Sequence, residues 1–319
     1  MTMQKPVLLV LVFLSEEHRA LLSSEYEVIY APYEKHGNDR SYAVDIIRAH
    51  AADIRFVLTN GAHGITADEI HAMPRLEFIN TLGVGFEKVD LAAARARGIV
   101  VCNTAGSNAE AVADHAMMLL LAAIRRLPFL NREVRNGLWR DDIPRPPHIS
   151  HRKMGIFGMG AIGEKLARRA LGFDMQVGYH SRTRKDHLGY QWFDDLASLA
   201  EWCDDLVVCA PGGKETFHVV NQAILEKLGP GGVLVNVARG SIVDTAALSE
   251  ALKHKRIWAA ALDVWENEPA APNKLVEFDQ AVITPHIAGI SPEAINANVG
   301  RVVDNLRLYR AGKPPISPI

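Results

Sequence analysis

Val7-Leu8-Leu9-Val10-Leu11-Val12-Phe13 is an uninterrupted apolar run, the pattern of a strand covered on both faces by helices rather than one that alternates between core and water. It predicts the opening strand of a parallel sheet. Shorter runs follow at Tyr26–Ile29, Phe56–Leu58, Phe78–Asn80 and Ile99–Cys102. Between them, Asp39–His50 and Asp90–Arg97 carry helical spacing with an aspartate at the start, the residue type that accepts hydrogen bonds from the first free N–H groups of a helix. Strand and helix alternate, so this stretch predicts an α/β unit.

Beyond Asn108 the pattern changes. Ala109–Leu127 is apolar on nearly every side and is stopped by Pro128, which predicts a buried helix, covered by its own fold or by another subunit. A second alternating series follows: Lys153–Phe157, Met175–Tyr179, Asp205–Ala210, Val233–Val237, Ile257–Leu262 and Ala281–Thr284. These six strands suffice for a doubly wound sheet. Asp141-Asp142-Ile143-Pro144-Arg145-Pro146-Pro147, between the helix and this series, is polar and proline-rich and predicts an extended surface segment. Pro292–Tyr309 has helical spacing with no strand left to complete, so it must pack on something built earlier.

The 319 residues fit about two domains. With 48 % hydrophobic and 23 % charged residues, disordered, collagen-like and coiled-coil classes are excluded. Lys and Arg total 35 against 37 Asp and Glu, a balance that gives no field for gathering nucleic acid or acidic lipid. Arg125, Arg126, Arg132, Arg135 and Arg140 are interleaved with Glu133, Asp141 and Asp142, which reads as a solvated arm. Cys102, Cys203 and Cys209 form no CxxC pair, so neither a metal site nor a disulfide framework is expected and a reducing compartment, the cytoplasm, is. The run at Val7–Leu14 is too short to span a bilayer and lacks signal-peptide flanks.

The chemistry is concentrated at strand ends. Gly158-Met159-Gly160-Ala161-Ile162-Gly163 directly follows the strand Met154–Phe157 and opens the segment Glu164–Leu171, the strand–turn–helix context that turns GxGxxG into a dinucleotide signature. Gly158 serves the tight turn, and Gly160 lets the backbone N–H groups at Ala161 and Ile162 approach a pyrophosphate at the helix start. Gly163 lets helix and strand pack closely. About twenty residues on, where NAD-binding folds place an acid on the ribose 2′-hydroxyl, the chain reads Ser181-Arg182-Thr183-Arg184. A hydroxyl and two guanidiniums suit a 2′-phosphate, so NADP(H) is the expected coenzyme, with NAD(H) as the weaker alternative. Three further strands run into Val237-Ala238-Arg239-Gly240, Asp263-Val264-Trp265-Glu266-Asn267-Glu268-Pro269 and Pro285-His286-Ile287-Ala288-Gly289. Ligands of open α/β sheets bind at those carboxyl ends.

With Gly83-Val84-Gly85-Phe86-Glu87-Lys88-Val89-Asp90, these motifs and their spacings resemble the D-isomer-specific 2-hydroxyacid dehydrogenase family over essentially the whole chain. The similarity is greatest to its NADP-preferring glyoxylate/hydroxypyruvate reductase branch. The resemblance implies two doubly wound parallel-sheet domains. One is a flavodoxin-like substrate domain split in sequence, residues 1–102 plus 289–319; the other is a Rossmann cofactor domain inserted at 103–288, with hinges near Cys102–Ala105 and His286–Ile290. It also implies roles. His286 would deliver the proton, Glu268 would keep it charged, and Arg239 would hold the carboxylate of a small 2-oxoacid and polarise its ketone. Backbone N–H groups of Val84 and Gly85, relieved by Gly83, would meet the same carboxylate, with Gly61 and Ala62 lining the pocket. Pro211, Thr216, Val237, Ala238, Asp263 and Gly289 match positions passing the coenzyme, Asp263 at the nicotinamide carboxamide. Ala109–Leu127 resembles the family's dimerisation element, so a homodimer is expected, and Trp139 would reach the partner's site. Two readings on the same scaffold stay open: a formate-dehydrogenase-like enzyme, against which the acid at Glu268 argues, and a dinucleotide-sensing corepressor.

Overall fold

The computed structural model describes residues 5–33, 39–143, 145–272 and 274–319. These form two units, Met1–Asn108 with Ser291–Ile319, and Ala109–Ile290.

In the first unit five parallel strands, β1 (Val7–Val10), β2 (Glu27–Tyr30), β3 (Ile54–Thr59), β4 (Phe78–Thr81) and β5 (Val100–Cys102), lie in the order β2-β1-β3-β4-β5, the flavodoxin-like doubly wound arrangement. Helices α1 (Glu16–Glu25), α2 (Arg40–His50), α3 (Ala67–Ala72) and α4 (Leu91–Ala96) connect them. The aspartates that marked helix starts do cap them: Ser41 N–H donates to Asp39 at 2.8 Å and Ala93 N–H to Asp90 at 2.9 Å, interactions worth about 1 kcal/mol each. The first strand is shorter than its apolar run, and Phe13 at the end of that run is 57 % exposed.

The C-terminal helix Pro292–Arg310 buries Val299, Val302, Val303 and Leu306 against Leu8, Val10, Phe56 and Phe78 of this first sheet. That packing answers the question of what the orphan helix covers. Its buried Asn305 donates to Asn80 Oδ1 at 3.0 Å and to the Asn103 carbonyl at 3.2 Å, and accepts from Ile316 N–H at 2.9 Å. Its Asn298 accepts from the Thr104 hydroxyl at 2.7 Å. These bonds tie Asn103 and Thr104 to the first unit, and the boundaries between the units fall at Asn108 and Ile290 rather than at 102 and 288.

The second unit carries β6 (Lys153–Phe157), β7 (Gln176–His180), β8 (Gln191–Phe193), β9 (Asp205–Val208), β10 (Val233–Asn236), β11 (Ala259–Leu262) and β12 (Ala281–Ile283), all parallel, in the order β12-β11-β10-β9-β6-β7-β8. The strand order reverses between β6 and β9, the switch point of a Rossmann sheet. The seventh strand, β8, escapes a search for apolar runs because it is three residues long and only partly buried.

The long apolar helix is also two. Helix α5 (Ala109–Ile124) ends before Arg126, which adopts a left-handed φ of 51°, and α6 (Leu127–Arg135) begins with Pro128 in its first turn, where the missing N–H costs nothing. Helix α5 buries Val112, Ala116, Leu119, Leu120 and Ala123 in one cluster with Met154, Ile156, Val207 and Val235. Its apolar surface is therefore largely covered by its own sheet. Helix α6 buries no residue and leaves Leu127 and Val134 exposed. Of the proline-rich segment, Arg140–Asp142 makes a single 3₁₀ turn and Arg145–Ile149 has no regular structure; Pro144 lies outside the described residues.

Candidate active site

Helices α7 (Ala161–Leu171), α8 (Leu196–Trp202), α9 (Gln222–Leu228) and α10 (Thr245–Lys253) complete the second unit, and the glycine motif sits between β6 and α7. Gly158 has φ 102°, and a Cβ there would lie 2.4 Å from Ala210 N. At Gly163 a Cβ would lie 2.5 Å from the Gly158 carbonyl oxygen, whereas at Gly160 it would meet none of the described residues within 4 Å. Two glycines are thus demanded by the protein itself, and Gly160 faces open space at the start of α7. An eleven-residue helix whose first N–H groups, at Ala161 and Ile162, have that space before them suits a phosphate. The residues present fit a dinucleotide.

Beyond β7, the Ser181 hydroxyl donates to the Thr183 carbonyl at 2.8 Å, and Arg182 is exposed. Arg184, also exposed, pairs with Asp186 at 2.5 Å and lies over the Trp192 ring, and Lys185 pairs with Glu164 at 2.5 Å. The basic loop is therefore paired with acids, Asp186 just beyond it and Glu164 on α7, which the glycine and arginine motifs do not reveal. Pro211 is exposed after β9, and its carbonyl accepts the Thr216 hydroxyl at 2.9 Å.

The carboxyl ends of β10, β11 and β12 stand side by side. After β10, buried Asn236 orders the turn: its Nδ2 donates to the Arg239 carbonyl at 3.0 Å and its Oδ1 accepts from Ala238 N–H at 3.1 Å. Val237 and Ala238 are buried there. The Arg239 side chain crosses Gly212, where a Cβ would lie 2.7 Å from its Cγ, and its Nη1 donates to the Ala238 carbonyl at 2.7 Å. After β11, Glu268 accepts from Trp265 N–H at 2.8 Å through Oε1 and meets His286 Nδ1 at 2.6 Å through Oε2. This uses one imidazole nitrogen and leaves Nε2 for chemistry on a side chain 53 % exposed. Donating a hydrogen bond to Glu268 raises the His286 pKa above its ordinary value, against burial and the positive charge of Arg239.

Asp263 holds the loop that carries the histidine. Its backbone carbonyl accepts His286 N–H at 2.8 Å. Its side chain accepts from Ile287 N–H at 2.9 Å, Ala288 N–H at 2.8 Å and the Thr284 hydroxyl at 2.6 Å. Burial pushes the Asp263 carboxyl up, but these bonds and one from His115 outweigh it and hold the pKa below the usual range. Gly289 closes the same loop and is partly buried. A shifted pKa is not itself a mark of the site: burial raises Asp205 to about 6 despite Arg152, yet it begins β9, at the opposite end of the strands.

In the first unit the Gly83-Val84-Gly85 loop is fixed by the residues after β5. Gly83 N–H donates to Thr104 Oγ1 at 2.8 Å and Asn103 Nδ2 to the Val84 carbonyl at 3.0 Å, with Gly83 at φ 105°. Gly61 lies so near that a Cβ would be 2.7 Å from the Gly85 carbonyl carbon; Ala62 is exposed. Trp139, in the second unit, is 63 % exposed. The sequence assigns no role to Asn236, His115 or Thr284; the one signal it holds is a lone histidine inside an otherwise apolar helix. Burial pushes the Cys102 and Cys203 thiols up to about 12, so neither is a thiolate near neutrality. Among the described residues no three His, Cys, Asp or Glu side chains group to hold a metal, and no helix is long and apolar enough to cross a membrane.

A Rossmann sheet with a dinucleotide turn at its switch point, and an arginine and a carboxylate–histidine pair at neighbouring strand ends, defines a dinucleotide-dependent oxidoreductase. Residues 117–288 match the family model of the D-isomer specific 2-hydroxyacid dehydrogenase NAD binding domain. The chain belongs to that family. It is 37 % identical over 276 residues to a hydroxyphenylpyruvate reductase of Plectranthus scutellarioides, covering 86 % of this chain and 88 % of the relative. It is 34 % identical over 322 residues to a glyoxylate reductase of Pyrococcus furiosus, covering 98 % and 94 %. Among solved structures, the NADPH-dependent glyoxylate/hydroxypyruvate reductase of Sinorhizobium meliloti, in complex with NADP and malonate, superposes with a TM-score of 0.86 at 36 % identity, covering 99 % of this chain and 97 % of that one.

Proposed function

We propose that this protein reduces a small 2-oxoacid, of the glyoxylate or hydroxypyruvate kind, to the D-2-hydroxyacid with NADPH. The observation that carries the reading is the 2.6 Å pair of Glu268 with His286 Nδ1, a proton donor held charged at a strand end beside Arg239. When bound, the nicotinamide supplies the hydride equivalent to the carbonyl carbon. His286 Nε2 then gives its proton to the carbonyl oxygen, Glu268 stabilises the charged imidazole until transfer, and the Arg239 guanidinium holds the substrate carboxylate and polarises the ketone. The N–H groups of Val84 and Gly85 in the first unit are assigned to substrate binding. The product of hydroxypyruvate reduction, resolved by chiral chromatography, is expected to be the D-hydroxyacid; an L product would refute the assignment.

The pH dependence follows from the sign of the shift. His286 is raised, so reduction is supported below its pKa and is lost as pH climbs through it; the pair's contribution to stability fades over the same rise. Glu268→Gln removes the main raising interaction, and the falling limb of the kcat profile, measured at saturating coenzyme, should move to lower pH.

NADPH preference rests on Arg182 and on Arg184, which a 2′-phosphate would share with Asp186. Arg182→Asp is expected to lower the NADPH-to-NADH ratio of kcat/KM by about tenfold or more, the effect of removing one charge-assisted hydrogen bond to the phosphate; an unchanged ratio would remove the assignment. Exposed Leu127, Val134, Leu138 and Trp139 on and after α6 support a homodimer, with Trp139 available to a partner's site. Function in the cytoplasm is part of the same proposal.

A further inference from the structure

We propose that His115 on α5 is a positioning residue for the proton donor, acting through Thr284 and Asp263 to keep His286 seated on Glu268. The inference rests on the reading that His286 delivers the proton.

His115 Nε2 lies 2.9 Å from Thr284 Oγ1 and 3.4 Å from Asp263 Oδ1. The Thr284 hydroxyl has one proton and directs it to Asp263 Oδ1 at 2.6 Å, so its oxygen can only accept from His115. The imidazole is therefore an Nε2–H donor at this point. Asp263 in turn holds the backbone N–H groups of His286, Ile287 and Ala288. The chain of bonds ends on a histidine at φ 52°, a left-handed conformation that persists only where the surroundings impose it. Loosening the chain frees the loop to relax away from Glu268.

Packing of α5 does not call for an imidazole here. Val112, Ala116, Leu119, Leu120 and Ala123 already dock the helix on the sheet, and the His115 side chain is only 14 % exposed, in a helix otherwise short of polar groups. An apolar residue would fill such a place with no polar nitrogen to satisfy. The charged groups acting on His286 are Glu268, Arg239 and Asp263, and only Asp263 is tied to α5.

The test compares His115→Phe, which deletes the donor, with His115→Gln, whose amide can place an N–H near the same point, and with Thr284→Val, which removes the relay without changing its shape. The His286 imidazole is titrated by NMR in the coenzyme-free protein, and kcat and KM are measured with NADPH and glyoxylate. His115→Phe and Thr284→Val are expected to lower the His286 pKa toward its ordinary value. They should reduce kcat by about 10–100-fold, the cost of a small misplacement, with the KM for NADPH little changed. The double variant should cost no more than either single. His115→Gln should keep both readouts near wild type. A wild-type titration in His115→Phe and Thr284→Val overturns the proposal, as does a His115→Gln variant as impaired as phenylalanine. If the wild-type protein turns over no 2-oxoacid, the functional reading fails, while the titration still judges the positioning role.

Discussion

Replacing His286 with asparagine is expected to lower kcat for 2-oxoacid reduction by about 10²–10⁴-fold, the range for a lost general acid, with the Kd for NADPH within about twofold of wild type. Asparagine is preferred to alanine because position 286 has φ 52°, and asparagine tolerates that region better than other L-residues. The loop bonds through Asp263 use the backbone of residue 286, so the variant keeps them. The measurement is steady-state turnover paired with a coenzyme titration. Near-normal turnover with intact NADPH binding would mean that the proton comes from elsewhere.

Arg239→Lys is the second large effect. The Arg239 stem runs over Gly212, and buried Asn236 sets the turn that carries it, so its guanidinium is aimed rather than mobile. Lysine keeps the charge but not the planar fork that grips a carboxylate with two parallel hydrogen bonds. A loss of about 10²–10³ in kcat/KM is expected, or about 2.7–4 kcal/mol of transition-state stabilisation. A variant within about threefold of wild type would show that charge alone suffices there.

Most strands of both sheets are written in short, largely apolar runs, because strands covered on both faces by helices have little polar side to show, whereas β2 keeps an exposed Glu27. The same rule hides β8: a short edge strand with Gln191 exposed and Trp192 and Phe193 half-buried has no run to detect. Pro128 marks a break in the helix, yet it starts α6 as well as following the end of α5, because proline suits a first turn. The glycines of the dinucleotide turn were legible, each through a different demand on the backbone.

The candidate site residues at the ends of β10, β11 and β12 stand as single letters in motifs, whereas what holds them does not. Asn236 reads as one more residue of a strand, Thr284 as the start of a loop, and His115 as an irregularity in an apolar helix. Asn236 bonds residues two and three positions on, but Thr284 and His115 find theirs 21 and 169 positions away, and only folding brings those together. Asp186 is hidden for a different reason. It lies just past the basic cluster, where the two arginines read as a phosphate cradle although one of them already has an acid beside it.

The most direct measurement of the central claim is NADPH oxidation by the purified protein with glyoxylate, hydroxypyruvate and phenylpyruvate, each beside the His286→Asn variant. The account predicts turnover of at least one of these acids, fastest with glyoxylate or hydroxypyruvate, and its collapse in the variant. Tight NADPH binding with no oxidation of the coenzyme by any of the three would contradict it.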